Sequence, residues 1–353
     1  MSGGVDSSVA VMIMVQQNFQ VIGMMLRLWS EPGKSDSNRC CTPDAMANAQ
    51  RVAAILGIPF YAIDAQDIFY KTVVSGFVDG YAQGFTPNPC LICNRIIRWD
   101  FLLKHAQALG ADYLATGHYA RTNQSEDGLF QLWRCDDKQK DQSYVLHVLG
   151  QKELSQTIFP LGDITKSKTR QLAAENRLPI ADRRESQDLC FLAGEDYRNF
   201  LLRNSSQVFM SGPIINKDGN VLGEHSGLAL YTIGQRKGLG IFSSQPLYVL
   251  EKRQKTNTLV VGDRTEQARY AFTVSKINWI SDKPPSETLQ VEVKIRYTAK
   301  PVSCTVTPLT RNDVLVRLPD PLYDITPGQA AVFYLGDQCL GGGLIQPEDV
   351  KAS

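Results

Sequence analysis

The first eight residues constrain this chain more than any other stretch. Ser2-Gly3-Gly4-Val5-Asp6-Ser7-Ser8 runs directly into an apolar segment at residues 9–15. Glycines let backbone N–H groups close on an anion, a helix N-terminus adds a favourable dipole, and hydroxyls on Ser2, Ser7 and Ser8 supply further donors. A phosphate loop of this kind lies between a strand and a helix of an open α/β sheet. It is neither GxxxxGK[ST] nor GxGxxG, so it is not the P-loop or the dinucleotide fingerprint. The plainer reading is a serine-glycine turn capping a helix. Only Met1 precedes the loop, so the strand that should deliver it is missing. The expectation is a natural start several residues upstream, and a sheet lacking the strand beside its own loop.

Beyond the loop, short apolar runs alternate with helical periodicity, the pattern of βαβ units and a parallel sheet. Helices are expected at 9–17, 67–82 and 94–109, and strands at 20–28, 58–63 and 112–116. Another helix opens at Thr42-Pro43-Asp44, with a capping hydroxyl and a first-turn proline, and Gly57 closes it. After about residue 204 the texture changes to short alternating strands, among them 291–297, 304–306, 314–318 and 330–334, with turns such as Lys217-Asp218-Gly219-Asn220 and a loop at 281–286. The expected fold is α/β: a doubly wound parallel-sheet domain at 1–195, a small β-rich domain at 196–266 and a C-terminal β-barrel at 267–353. A length of 353 residues accommodates two or three domains at about 150 residues each.

Charge is balanced, with Lys+Arg 37 against Asp+Glu 36, so any nucleic-acid contact is local. Phosphate neutralisation is counted by contacts, not by net charge. The apolar run at 9–15 is far short of the roughly 18 residues a membrane helix needs, and no leader pattern opens the chain, so a cytoplasmic enzyme without membrane contact is expected. Eight cysteines in such a compartment are candidates for chemistry or packing, not a disulfide framework. Cys135, Cys304 and Cys339 sit in apolar, strand-like surroundings and read as buried. Cys40, Cys41, Cys90, Cys93 and Cys190 lie in polar or turn-rich contexts.

Thr86-Pro87-Asn88-Pro89-Cys90-Leu91-Ile92-Cys93-Asn94 joins a rigid turn to CxxC at a helix start. The helix dipole there favours the thiolate, which is the nucleophile and the metal ligand. Buried, idle thiols are the alternative. A four-ligand structural zinc is weaker, because only the adjacent Cys40-Cys41 could complete it. Lys140-Asp141-Gln142 offers a cation, a carboxylate and an amide suited to phosphates and base edges, or a solvated loop. Gln235-Arg236-Lys237 lies in a glycine-bounded loop, and Arg296-Tyr297 sets a guanidinium beside a ring that can stack on a splayed base.

The string SGGVDSS resembles the PP-loop of ATP pyrophosphatases, which adenylate a carbonyl oxygen and release pyrophosphate. With RCCTPDA, TPNPCLICN, ATGHYAR, KDQSY, SQDLCF, YTIGQRKGLG, IRY and TPGQ in this order, the chain is similar over essentially its whole length to bacterial tRNA-specific 2-thiouridylases. The resemblance implies a HUP-like catalytic domain and ATP-dependent 2-thiolation of the wobble uridine, position 34, of tRNAs with Lys, Glu and Gln acceptors. Sulfur would come as persulfide from a cysteine desulfurase or a sulfur-relay protein. ATP, with Mg²⁺, would contact Ser2, Gly3, Gly4, Val5, Asp6, Ser7, Ser8, Leu26 and Gly117. Cys190 would carry the persulfide, and Cys93 would be the nucleophile that frees the sulfur, leaving a transient Cys93–Cys190 disulfide. Asn88, Pro89, Cys90, His118, Lys140, Asp141, Gln142, Arg296, Tyr297 and Gln329 would face the target base or the tRNA; for His118 a satisfied strand-end histidine is the alternative. One branch of the family has Asp at the position of Cys90. Members with cysteine there fit a second scheme, in which Cys90, Cys93 and Cys190 hold a four-iron cluster that binds sulfide. The rivals are a PP-loop enzyme modifying a different tRNA base and a non-catalytic tRNA- or zinc-binding protein.

Overall fold

The computed structural model describes residues 1–33, 42–181, 183, 189–205 and 210–347. Cys40 and Cys41, and residues 186–188 of the SQDLCF run, lie outside the described residues. No helix among those described is long and apolar enough to cross a membrane.

The first domain alternates as expected. Helix α1 (Val5–Gln16) leads into strand β1 (Gly23–Arg27), α2 (Pro43–Ile55) and β2 (Phe60–Asp64). β1 and β2 pair in parallel from Gly23↔Phe60 to Arg27↔Asp64. α2 begins where its local chemistry says: Thr42 accepts from the Ala45 N–H at 3.1 Å, and Pro43 takes the first position, whose N–H needs no partner. Gly57, at φ +65°, ends it. Two longer helices come next, α3 (66–82) and α4 (89–108), each containing a π-helical stretch, Tyr70–Val74 and Cys93–Leu102. They lead to β3 (Leu114–Ala115), an antiparallel hairpin β4 (Ala120–Gln124) and β5 (Phe130–Arg134), and β6 (Thr157–Ile158), parallel to β3. Helix α5 (Lys166–Glu175) completes the domain, and α6 (Tyr197–Asn204), at the start of the next, packs Phe200 and Leu201 onto the first domain's apolar cluster. Among the described residues the parallel pairing falls into two ladders, β1–β2 and β3–β6.

The middle domain is a four-stranded sheet of β7 (Gly212–Ile215), β8 (Val221–His225), β9 (Tyr248–Arg253) and β10 (Thr258–Gly262), ordered β8-β7-β10-β9 over Ile214, Val249, Leu259 and Val261. The last domain is a six-stranded barrel of β11 (Arg269–Trp279), β12 (Leu289–Lys294), β13 (Val302–Pro308), β14 (Val314–Leu322), β15 (Ala330–Leu335) and β16 (Gln338–Ile345). Pairing runs β11-β14-β13-β12-β15-β16 and closes through β11–β16. β12 and β13 alternate buried and more exposed residues, the pattern of a strand with one face in the core, whereas β15 is buried on both faces from Ala330 to Tyr334, with Ala331 and Phe333 in the barrel core and Val332 and Tyr334 against the first domain.

One joint departs from expectation. The β4–β5 hairpin leaves the first domain's ladders and adds to the barrel, with Leu132 opposite Cys339 and Trp133 opposite Gln338. Beneath it, Leu91, Trp99, Leu103, Leu132 and Tyr144 share one buried cluster with Val332, Tyr334 and Cys339. The first and last domains therefore have a core in common. The burial expected for Cys135, Cys304 and Cys339 is observed.

Candidate active site

α1 starts directly after Gly4, with no side-chain cap, so the first-turn N–H groups remain available to an anion. Ser2 N–H donates to Ser7 Oγ at 3.0 Å, and Ser8 Oγ donates to the Gly4 carbonyl at 2.9 Å. Gly3 has φ +66°, and a Cβ there would lie 2.2 Å from the Ala45 carbonyl oxygen. Gly117 faces the same turn: its Cβ would stand 2.7 Å from Ser7 N. Both positions require glycine because backbone occupies the space a side chain would need.

Two cations bracket the loop. Lys166, at the start of α5, sends Nζ to Asp6 Oδ1 at 2.6 Å, while Tyr119 OH donates to the same oxygen at 2.9 Å. Arg183 donates to the Gly3 carbonyl at 2.6 Å. Uncapped N–H groups and nearby cations suit a polyphosphate, so the donor set fits ATP.

His118 is buried. Nδ1 lies 2.8 Å from Thr116 Oγ1 and Nε2 3.1 Å from Arg98 Nη1. A guanidinium only donates, so Nε2 accepts and the proton sits on Nδ1. Burial, and secondly the charge of Arg98, hold the ring well below its ordinary pKa, so it is neutral.

The thiols lie on other turns of the first domain. Asn88 Oδ1 accepts from Cys90 N–H at 3.1 Å, and Pro89 fills the first helical position, so α4 begins with Cys90 exposed in its opening turn. Cys93 is half-buried where the π-helical stretch starts. Cys190, also half-buried, opens a 3₁₀ turn, Cys190–Leu192, after which Ala193 and Gly194 take left-handed conformations at φ 55° and 84°. Cys93 and Cys190 pack against the same cluster, formed by Phe69, Val73, Phe77, Ile97, Phe191 and Phe200, and so does Leu26 of β1. Among the described residues no three His, Cys, Asp or Glu side chains are arranged to hold a metal ion.

Three comparisons bear on this arrangement. A family model described as the tRNA methyl transferase HUP domain matches residues 1–194, the tRNA methyl transferase PRC-barrel domain matches 198–263, and the aminomethyltransferase beta-barrel domain matches 269–345. The tRNA-specific 2-thiouridylase MnmA of Chloroflexus aurantiacus is 47% identical over 99% of this chain and 98% of its own. Those of Natranaerobius thermophilus and Geobacter metallireducens are each 43% identical, covering 99% and 98% of this chain and 97% and 95% of theirs. The chain belongs to the tRNA-specific 2-thiouridylase family.

The residues expected at the RNA face of this 2-thiouridylase divide into two sets. Asp141 is buried and turned inward, accepting from Ser143 Oγ at 2.8 Å and Ser143 N–H at 3.2 Å; it holds its own turn. Gln142 accepts from the Tyr119 N–H at 3.0 Å and hydrogen-bonds Tyr297. Arg296 is a clasp, donating to Thr326 Oγ1 at 2.5 Å, to the Asp324 carbonyl at 3.0 Å and toward the Ile233 carbonyl of the middle domain at 3.4 Å. Gln329 donates to the Thr86 carbonyl at 2.8 Å. Lys140 is half-exposed and Tyr297 exposed. Tyr297 lies edge-on to Tyr144 with centroids 6.2 Å apart. Partial burial, followed by the nearby charge of Asp141, pushes its hydroxyl up to about 12, and Cys90 also acts on it. A cavity of about 290 Å³ opens next to Arg296, lined also by Thr298, Lys300 and Tyr323; no loop or thiol residue lines it.

Sequence reasoning missed Lys166, Tyr119, Arg183 and Arg98. Lys166 sits next to the helix-capping Thr165, but nothing in its neighbourhood marks it as reaching 160 residues back to Asp6.

Proposed function

We propose that this chain catalyses ATP-dependent 2-thiolation of uridine 34 in tRNAs with Lys, Glu and Gln acceptors. ATP lies with its phosphates on residues 2–8, its Mg²⁺ carried in as the nucleotide chelate. The uridine O2 attacks the α-phosphorus, pyrophosphate leaves, and C2 becomes an activated O-adenylate. Cys190 holds sulfur as a persulfide delivered by a desulfurase or relay protein. The Cys93 thiolate attacks the inner sulfur of that persulfide, forming the Cys93–Cys190 disulfide and releasing hydrosulfide. Hydrosulfide adds at C2 and AMP departs; an external reductant then restores both thiols.

The observation that carries this reading is the packing of Leu26, Cys93 and Cys190 against one apolar cluster, which supports a common site for the strand expected to meet ATP and for both thiols. Cys93 and Cys190 are 97 residues apart in sequence, and each is half-buried. tRNA from a strain lacking this gene, run on a mercury-containing gel, is expected to lose its sulfur-dependent shift at the Lys, Glu and Gln acceptors; a retained shift overturns the assignment. The iron content and the absorbance near 400 nm of anaerobically purified protein test the redox scheme: active, colourless, iron-free enzyme supports it, and activity that tracks iron overturns it.

A further inference from the structure

The turn that presents the thiols is gripped from both other domains. Thr86 N–H donates to the Pro327 carbonyl at 2.9 Å, and Gln329 Nε2 donates to the Thr86 carbonyl at 2.8 Å, so one residue is pinned on both sides by the barrel's Thr326-Pro327-Gly328-Gln329 turn. The approach is close: a Cβ on Gly328, whose φ is +90°, would lie 2.8 Å from Phe85 Cβ and 3.0 Å from Thr86 N. The gripping turn is itself fixed, because Gly328 N–H donates to the Ile345 carbonyl at 3.0 Å and Ile345 N–H to the Gln329 carbonyl at 2.9 Å. Arg296 ties Thr326 to the middle domain's Ile233. On the near side Gly84 meets Gln254 of the middle domain, and the Pro87 ring is so close to Gly80 of α3 that a Cβ there would lie 2.9 Å from it. Thr86 leads into Pro87-Asn88-Pro89, a segment with two fixed φ angles. Displacement at Thr86 is therefore passed to the Asn88 cap, and through it to Cys90 and Cys93.

We propose that Gln329 is a positioning residue for the thiol helix: its side-chain amide holds the Thr86 carbonyl and so sets the seat of Cys93, whether or not RNA is bound. This rests on the thiolation reading only for its effect on catalysis, because the positioning acts in the RNA-free protein. Iodoacetamide labelling of Cys93, read by peptide mass spectrometry on full-length protein without tRNA, tests it directly. Gln329→Ala is expected to label Cys93 at least threefold faster than wild type, as the half-buried thiol loosens, and to lower kcat for thiolation at least tenfold with tRNA affinity within twofold. Gln329→Glu, which keeps the shape but replaces the donor with an acceptor facing a carbonyl, is expected to behave alike. Labelling unchanged in both variants overturns the proposal, and a tenfold loss of tRNA affinity with unchanged labelling assigns Gln329 to direct RNA contact instead. If wild-type protein does not thiolate tRNA, the functional reading fails while the labelling result still stands.

Discussion

Lys166 Nζ and Asp6 Oδ1 meet at 2.6 Å across the mouth of the phosphate loop, with the lysine side chain 11% exposed and the aspartate 35%. The pair sets the first-turn carboxylate and keeps a cation beside the uncapped N–H groups of α1. Lys166→Met is expected to raise the KM for ATP at least tenfold and to cost about 1–2 kcal/mol of stability, below the roughly 3–5 kcal/mol of a fully buried pair because Asp6 keeps part of its solvation. Urea denaturation and initial rates at varied ATP check both. A KM unchanged in this variant removes Lys166 from the nucleotide site.

Gly117→Ala tests the fit of the loop against the strand behind it. The added Cβ would stand 2.7 Å from Ser7 N and 2.8 Å from the Asp6 carbonyl carbon, and backbone in a first helical turn cannot yield as a long side chain can. A loss of about 1–3 kcal/mol is expected, together with loss of ATP binding by calorimetry. Full ATP affinity in a folded variant contradicts the placement.

Cys93→Ser and Cys190→Ser are each expected to abolish thiolation and leave tRNA binding within about twofold, since each thiol only borders the cluster formed by Phe77, Ile97 and Phe191. Gel-shift titration beside the thiolation assay separates the two effects. Loss of tRNA binding in either variant makes that cysteine structural.

His147 is 3% exposed, and its Nδ1 lies 2.7 Å from the Tyr144 carbonyl, to which it donates. Burial lowers its pKa from the ordinary 6.5 to about 4. Above pH 6.5 both folded and unfolded chains carry a neutral ring, so it contributes nothing there. Between pH 6.5 and 4 the unfolded chain takes up a proton that the folded one refuses, so stability falls by up to about 3 kcal/mol. Neutral, buried His118 acts in the same direction. Denaturation midpoints measured across this window should fall with pH, and less steeply in His147→Asn. Parallel slopes for the two proteins would show that His147 is not a source of the acid sensitivity.

Arg236 and Lys237 are both exposed in a loop whose three glycines, Gly234, Gly238 and Gly240, all have positive φ. Within it Gln235 is turned inward, with its amide donating to the Lys237 carbonyl at 2.9 Å. The double variant Arg236→Ala/Lys237→Ala is expected to leave stability unchanged and to lower the salt slope of tRNA binding by about two, roughly one for each phosphate no longer neutralised. An unaltered slope removes this loop from the RNA surface.

Legibility in the sequence tracks the range of the interaction. α2 is legible because Thr42, Pro43 and Gly57 act within a few residues of themselves, and barrel strands such as β12 and β13 because their alternation is local. α4 begins at Pro89, ahead of the expected start at Asn94, because the Asn88 cap turns the proline dipeptide into a helix start. The β4–β5 hairpin escapes a sequence reading because its partner β16 lies about 200 residues on. Asp141 reads as RNA-facing from the chemistry of its tripeptide, and His118 from family resemblance with a satisfied strand-end histidine as the alternative, whereas burial and inward hydrogen bonds at both are tertiary facts. Lys166 escapes for the same reason: a cation's partner across 160 residues leaves no trace in spacing.

The sheet that crosses from β16 to β5, over a core shared by Trp99 and Tyr334, also bears on how this enzyme comes apart. Cutting between the middle domain and the barrel would strip the cover from Leu132, Tyr144 and Val332 and leave a hydrogen-bonding edge on each fragment. The nucleotide-binding half and the barrel are therefore expected to melt in one transition and to resist being exchanged separately between relatives, while the middle sheet, with its own core, is the piece a protease or a chimera can release.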